Sequence, residues 1–268
     1  MKNMVLKMKK VISIKEIQQF DYEMLLEIKR ICEAHNLQYY LAFGTTLGCI
    51  RHQGFIPWDY DADVILPINS FLEFHRIAKE ELNPKYELLS GFDGSFSEYF
   101  MRMKLANQNE AEVYVDLFVL VGAPESPIKQ YKMYRRFMFL RSLRYYRFNN
   151  KKTGDNKLKK TARLILSKLL KLIPIGSYTK QFFKLCTKYD YNYSKYVFCP
   201  CGDYDGRKPR FFSKYIYGEG TSMHFEETEF SVPSKYDYYL TEYYKDYMIP
   251  PSDDVVKKGL AKETIIDV

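Results

Sequence analysis

No stretch of this 268-residue chain approaches the ~18 uninterrupted apolar residues of a membrane-spanning helix, so no helical span is expected. The opening run MKNMVLKMKK is charged and lacks the apolar core of a secretory leader, which points to a cytoplasmic protein. Cysteine is sparse. The five (Cys32, Cys49, Cys186, Cys199, Cys201) are an odd number without framework spacing, which excludes a disulfide scaffold and suits a reducing compartment. Cys199-Pro200-Cys201 is a C-x-C without a second pair, and His224 is the only histidine after it, so a metal knuckle there is short of ligands. Internal repeats and low-complexity linkers are absent too, and residues 1–268 read as a single folded unit.

What the chain has in excess is positive charge and aromatic surface. Lys and Arg total 41 against 33 acids, a net charge of +8, and there are 25 Tyr and 19 Phe. A basic balance points to an anionic partner: nucleic acid, a nucleotide or phosphosugar, or an acidic membrane face. The charge concentrates between Lys129 and Lys171, where QYKMYRRFMFLRSLRYYRF and LKKTARLILSKLLKLI flank a polar break at Lys151–Asn156. Both halves read as basic amphipathic helices. A third helix near Ser177–Tyr189 closes a basic helical insertion over residues 125–192. The insertion reads either as a face that docks on anionic lipid or as a helical subdomain with a solvated basic side. Neither half carries a nucleic-acid motif.

Around it the pattern is α+β. Ser13 and Glu16 form a capping box before a helix with Ile14, Ile17, Met24, Ile28 and Ile31 at helical spacing. A second S-x-x-E, Ser70 and Glu73, predicts another helix start, with Phe71, Phe74 and Ile77 on one face. Strands are expected at Tyr39–Phe43, Tyr86–Leu89, Tyr99–Leu105, Glu112–Val121 and Glu226–Pro233, and a helix at Lys235–Tyr244. The tail after Pro250-Pro251 is expected to be poorly ordered.

The stretch YYLAFGTTLGCIRHQGFIPWDYDADVILP, Tyr39 to Pro67, organises the rest. An apolar strand leads to a Gly44-Thr45 turn and a short helix carrying Arg51; a loop through Trp58 then reaches a second strand opening with Asp59, Asp61 and Asp63. Asp61 and Asp63 are i and i+2, so on an extended segment they leave the same face. Paired carboxylates beside buried residues are costly unless a cation sits between them. A hard divalent ion, Mg²⁺ bridging to a substrate phosphate, suits them; the same residues also read as a polar turn. Asp116 interrupts the apolar run VYVDLFVL and is a candidate third carboxylate on a neighbouring strand. Lys104 either neutralises a phosphate or pairs with an acid. A turn before a short helix offers N–H groups to phosphate, and carboxylates with a metal suit phosphoryl or nucleotidyl transfer. The scheme hG[ST]…D-x-D…D resembles the nucleotidyltransferase fold, a mixed β-sheet flanked by helices.

GTTLGCIRHQGFIPWDYDADVILP further resembles the signature of the LicD family, G-T-L-L-G-x-x-R-H-x-G-F-I-P-W-D-D-D-I-D. That family includes bacterial phosphocholine transferases and is related to the fukutin proteins. Phe100–Leu105, Val115–Phe118 and the run from Phe225-Glu226 to Pro250-Pro251 match its later segments, so the resemblance spans nearly all but the insertion. It implies transfer of a phospho-alcohol (phosphocholine, or ribitol or glycerol phosphate) from a CDP-linked donor. The acceptor is a hydroxyl of a cell-surface glycan precursor (teichoic acid, capsule or lipopolysaccharide), and CMP is released. On this resemblance Asp61 and Asp63 bind Mg²⁺ (or Mn²⁺) and the donor pyrophosphate, and Asp116 is third ligand or base. Gly44 and Thr45 approach phosphate, Arg51 and Lys104 offset its charge, and Glu226 contacts donor or acceptor. Arg51 and Trp58 read equally as packing residues. The acceptor is expected to be lipid-linked and the contact with anionic membrane peripheral, at the inner face; no nucleic acid is expected.

Departures are Tyr60, Ala62 and Cys49 within the signature, Val119 and Val121 in place of a Pro and a second Asp, and Lys245 in place of a common Gly. They point to altered donor or acceptor specificity. Two alternatives stay open: a noncatalytic scaffold in glycan assembly, and a nucleic-acid nucleotidyltransferase.

Overall fold

A computed structural model describes residues 9–92, 96–108, 113–149, 157–202, 209–261 and 263–267. The chain forms two compact units. One comprises Met1–Leu88, Arg102–Leu117 and Tyr215–Val268, the other Leu89–Met101 and Phe118–Lys214. The architecture is α+β, with a mixed β-sheet flanked by helices.

In the first unit, β1 (Lys9–Ser13) runs into α1 (Ile14–Ala34), and the first capping box closes. Glu16 N–H donates to Ser13 Oγ, and Ser13 N–H to a Glu16 carboxylate oxygen at 2.9 Å. Ile17, Met24, Ile28 and Ile31 all point into the core, as their spacing predicts. β2 (Tyr40–Leu41) is shorter than the expected strand because α2 (Phe43–His52) starts early. The Ala42 carbonyl accepts from both Thr45 N–H, at 2.9 Å, and Thr46 N–H, at 3.1 Å. Gly44 and Thr45 therefore sit inside the first helical turn rather than in a turn before it. β3 (Ala62–Pro67) begins at Ala62, so Asp59 and Asp61 precede it.

α3 (Ile68–Glu81) starts two residues before Ser70, and the second capping box does not form. Pro67, extended at φ −50° and ψ 145°, ends β3 and opens the helix directly. Ser70 Oγ instead accepts from Gln38 N–H at 3.1 Å, and Glu73 pairs with Arg76 one turn on. β4 (Tyr86–Ser90), β5 (Met101–Leu105) and β6 (Tyr114–Ala123) follow, and the strand order is β2-β3-β6-β5-β4. β4, β5 and β6 each pass from one unit into the other along their length.

In the second unit the basic stretch forms three helices, α4 (Pro127–Phe148), α5 (Lys157–Lys171) and α6 (Ile175–Cys186). The polar break at Lys151–Asn156 lies outside the described residues. Not all of its basic residues are solvated. Arg144 is buried, stacks on Tyr99 and donates to the carbonyls of Gly91, Phe96 and Ser97 and to Thr179 Oγ1. A guanidinium in a core is tolerable when its donors are taken up in this way. β7 (Tyr196–Phe198) pairs antiparallel with β6 (Val121↔Phe198) and with β8 (Phe211–Ser213). Cys186, Cys199 and Cys201 are buried as free thiols; burial foremost pushes Cys201 up to about 12, so it stays protonated.

After α7 (Lys214–Tyr217), the first unit resumes with a hairpin of β9 (Thr221–Phe225) and β10 (Thr228–Val232), where one strand was expected. α8 (Tyr236–Tyr244) and α9 (Asp253–Leu260) precede β11 (Glu263–Asp267), which pairs antiparallel with β1 from Lys9↔Asp267 to Ser13↔Glu263. The tail is thus ordered, against expectation, because its backbone groups find their partners at the far end of the chain. Among the described residues no helix is long and apolar enough to cross a membrane.

Candidate active site

The site forms where β3 meets the first turn of α2. Tyr40 and Leu41 pair with Ile65 and Val64, and the ladder is extended by Ala42 N–H donating to the Asp63 carbonyl at 2.9 Å. Asp63 N–H in turn donates to Thr45 Oγ1 at 2.8 Å. Thr45 is buried, and this bond clamps the helical turn onto the strand that carries the acids. Phe43 opens the turn at φ 45°, a left-handed conformation held by Phe43 N–H donating to the Tyr239 hydroxyl at 3.0 Å. A side chain at Gly44 would place its Cβ 2.9 Å from Asp59 Oδ2, so only glycine lets that carboxylate lie against the turn.

Within the first unit, the charges of Asp59, Asp61 and, from β6, Asp116 all bear on Asp63. The Asp63 carboxyl is held well above the usual carboxylate range, by burial first and then by the charges of Asp61, Asp116 and Asp59. One guanidinium answers them. Arg102, on β5, donates from Nε to Asp116 Oδ1 at 2.6 Å and from an η nitrogen to Asp116 Oδ2 at 2.8 Å. Its Cζ lies 3.5 Å from the centre of the Tyr114 ring.

A fifth acid comes from α1. Asp21 is fully buried, and among the described residues neither of its carboxylate oxygens has a hydrogen-bond partner. Burial, then the charges of Asp61 and Asp59, raise its carboxyl well above the usual range; the nearby Tyr114 amide opposes this without closing a bond. Sequence reasoning missed both Asp21 and Arg102. The signal for Asp21 is its place in the series Ile14, Ile17, Asp21, Met24, Ile28, an acid where the helical period demands an apolar residue. For Arg102 it is the alternation of β5, which sets Arg102 and Lys104 on one face between buried Met101, Met103 and Leu105.

The other expected site residues are engaged elsewhere. Lys104 pairs with Glu87 at 3.1 Å and donates to the Gln108 carbonyl at 2.8 Å. Arg51 donates to the Tyr247 carbonyl at 2.7 Å and lies over the Trp58 ring, bracing α2 against the segment after α8. Glu226 stands at φ 54° in the β9–β10 turn, where its Oε1 accepts from Phe55 N–H at 2.9 Å. A Cβ on Gly54 would meet that carboxylate at 2.2 Å, so Glu226 grips the loop that delivers Trp58 and Asp59. Lys245 has φ 59° and ψ −113°, a conformation suited to the glycine that the family pattern has there.

Among the described residues no three acidic, histidine or cysteine side chains gather as a ready cation cage. The donor set is nonetheless hard oxygen, with one bidentate arginine set against five carboxyls. Mg²⁺ characteristically takes one or two carboxylates and completes its shell with water and substrate phosphates. The orphaned oxygens of Asp21 and the repulsion felt at Asp63 are what such a cation relieves, so the residues fit one.

Residues 36–155 match the family described as LicD/FKTN/FKRP, nucleotidyltransferase domain. That span holds Gly44, Thr45, Arg51, Asp59, Asp61, Asp63, Arg102, Lys104 and Asp116; Asp21 and Glu226 fall outside it. Over 257 residues the chain is 27% identical to the lipopolysaccharide cholinephosphotransferase LicD of Haemophilus influenzae, covering 91% of this chain and 95% of that protein. An uncharacterised protein of Rickettsia prowazekii is 24% identical over 127 residues, covering 41% of this chain and 46% of its own length.

Proposed function

The chain carries a LicD-family domain over residues 36–155, and from that premise we propose that it is a transferase moving a phospho-alcohol from a CDP-linked donor to a glycan hydroxyl. The observation that carries this reading is the convergence of Asp59, Asp61, Asp63 and Asp116 at the first turn of α2, with Arg102 the guanidinium bound among them. We read the sheet that presents them as the nucleotidyltransferase type. Phosphocholine is the cargo suggested by the Haemophilus influenzae relative; ribitol and glycerol phosphates are the alternatives. The acceptor is a cell-surface glycan precursor of the lipopolysaccharide, teichoic acid or capsule kind, borne on lipid at the inner membrane face.

The reaction forms a bond between the acceptor oxygen and the donor phosphorus that bears the alcohol. The pyrophosphate P–O bond breaks, and CMP departs with its electron pair. Mg²⁺ (or Mn²⁺) held by Asp61 and Asp63 would supply neutralisation of the pyrophosphate charge. Gly44, lacking a side chain, lets the donor phosphate approach its own N–H; the Phe43, Thr45 and Thr46 N–H groups are already bonded within the protein. Thr45 holds that turn in register with Asp63. The acceptor proton passes to a carboxylate, and Asp116 is the one whose orientation Arg102 sets. Arg51 and Glu226 act at one remove, by fixing the loop from Gln53 to Asp59. Val119 and Val121, both fully buried, bring no second acid after Asp116, so cargo and acceptor need not be those of the relative.

The test is CMP release from CDP-choline, CDP-ribitol, CDP-glycerol and CDP-ethanolamine, with Mg²⁺, with and without crude membrane acceptor, and with Asp61→Ala as control. Release from one donor, lost in Asp61→Ala, supports the reading and names the cargo. Silence from folded protein across the panel sinks it in favour of a scaffold.

A further inference from the structure

Two features of the second unit play no part in this chemistry. The first is a groove of about 820 Å³ between α4 and α6, lined by Arg135, Arg136, Phe139 and Leu140 on one side and Gln181, Lys184, Leu185 and Lys188 on the other. Four of these eight residues are cationic and none is acidic. Arg135, Arg136 and Lys184 are exposed and make no ion pair or side-chain hydrogen bond among the described residues. Between them the floor is apolar: Leu140 and Leu185 are buried, while Phe139 is 62% exposed at the lip. Free cations around an apolar floor match a phosphate attached to a hydrocarbon body better than a soluble anion, which has no use for the floor.

The second feature is the outer face of α5. Its inner face is taken: Ser167 Oγ donates to the Arg147 carbonyl, and Arg147 donates to the carbonyls of Leu170 and Ile173. The opposite stripe is apolar and faces solvent, with Leu158 80%, Ile165 54%, Leu169 56% and, just past the helix end, Leu172 79% exposed. These positions recur at i, i+7, i+11 and i+14, one line along a helix. Lys159 and Lys168 flank it. This is the distribution of a helix lying in a membrane interface. Arg136, Leu140 and Arg147 share a face of α4, so the groove and the α5 junction follow each other along that face.

We propose that the α4–α6 groove seats the phosphate headgroup and upper chain of an anionic phospholipid, and that the outer stripe of α5 enters the same leaflet. The second unit thereby docks the enzyme on an anionic bilayer. This deepens the reading of a lipid-borne acceptor. Vesicle binding is measured without donor or acceptor, so its failure and the failure of transfer are separate results.

The experiment is flotation of the full chain with vesicles of phosphatidylcholine alone and of phosphatidylcholine doped with phosphatidylglycerol. Binding is expected to the doped vesicles and to weaken with salt. Arg136→Gln/Lys184→Gln is expected to lower the partition coefficient about 30-fold, taking the usual contribution of a surface cation near an anionic leaflet. Lys79→Gln, on α3, leaves it unchanged. Leu169→Ser, at an exposed position, weakens binding with the thermal midpoint intact. Equal binding to both vesicle types, or full binding by the double variant, overturns the proposal. So does tighter binding to a single-stranded RNA oligonucleotide than to doped vesicles, abolished by the same double variant, which would make the groove a nucleic-acid face. Arg135→Gln/Lys188→Gln repeats the test should the first pair fail to fold.

Discussion

Replacing Asp21 by asparagine isolates the electrostatic strain at the site. The parent carboxyl is buried, has no hydrogen-bond partner among the described residues and feels the charges of Asp61, Asp59 and Asp116, so its folded-state proton affinity lies above the unfolded one. The sign follows directly. The folded chain holds a proton that the unfolded chain releases from about pH 3.9 upward, so stability falls as pH rises until the folded carboxyl itself titrates. The slope is at most about 1.4 kcal/mol per pH unit for one such group. The amide of Asp21→Asn is neutral throughout. Near pH 4.5, little above the unfolded titration, the variant's advantage should be no more than about 1 kcal/mol. By pH 7 the variant should be the more stable, by at most about 4 kcal/mol, the limiting slope taken from about pH 3.9. For a chain of this size each kcal/mol is about 2–4 °C in midpoint. The assay is calorimetric or urea unfolding in EDTA from pH 4.5 to 8, repeated with Mg²⁺. In the parent, Mg²⁺ should raise the midpoint, most at neutral pH; in the variant that rise should shrink, because the carboxylate that the cation relieves is gone. A variant less stable than the parent at pH 7, with the same slope against pH, would refute the assignment of Asp21 to the carboxylate cluster.

Other outcomes follow from single contacts. Arg102→Met should cost about 3 kcal/mol in urea unfolding, because it strips the nearly buried Asp116 of its bidentate guanidinium; a change under about 1 kcal/mol would show the bidentate pair to be incidental. Gly44→Ala should change stability by less than about 1 kcal/mol, since alanine favours the helix, yet cut CMP release at least tenfold by driving Asp59 off the turn; unaltered turnover would remove Gly44 from the site. Glu226→Ala should cost about 1–2 kcal/mol by freeing the Phe55 amide, and raise KM more than it lowers kcat; the reverse split would make Glu226 a substrate contact. Lys245→Gly should stabilise the chain by about 1 kcal/mol, relieving a backbone conformation that lysine adopts at a cost; a lower midpoint in thermal unfolding would show that the lysine side chain outweighs the strain.

What the amino-acid order determined alone was whatever depends on near neighbours. Ser13 and Glu16 cap a helix because they are one turn apart, and Met101, Met103 and Leu105 line the buried face of β5 because a strand repeats every two residues. The same local logic, applied to Ser70 and Glu73, failed when a residue elsewhere in the chain, Gln38, claimed the serine hydroxyl. Likewise, local pattern could place Lys104 and Arg102 on one strand but not say which would meet the acids. That depended on β6 lying beside β5, which brought Asp116 to Arg102 and left Lys104 to Glu87. Glu226 was found by family pattern, but its grip on Gly54 and Phe55 follows from the β9–β10 hairpin packing on a loop far away in sequence. Asp21 is the sharpest case. Helical period puts it on the buried face, but only the tertiary fold decides whether a buried acid finds a partner, and here it faces further acids. Local propensities and periodicities are properties of short segments; pairing energies, burial and the field at a carboxyl belong to neighbours in space, which only the folded chain brings together.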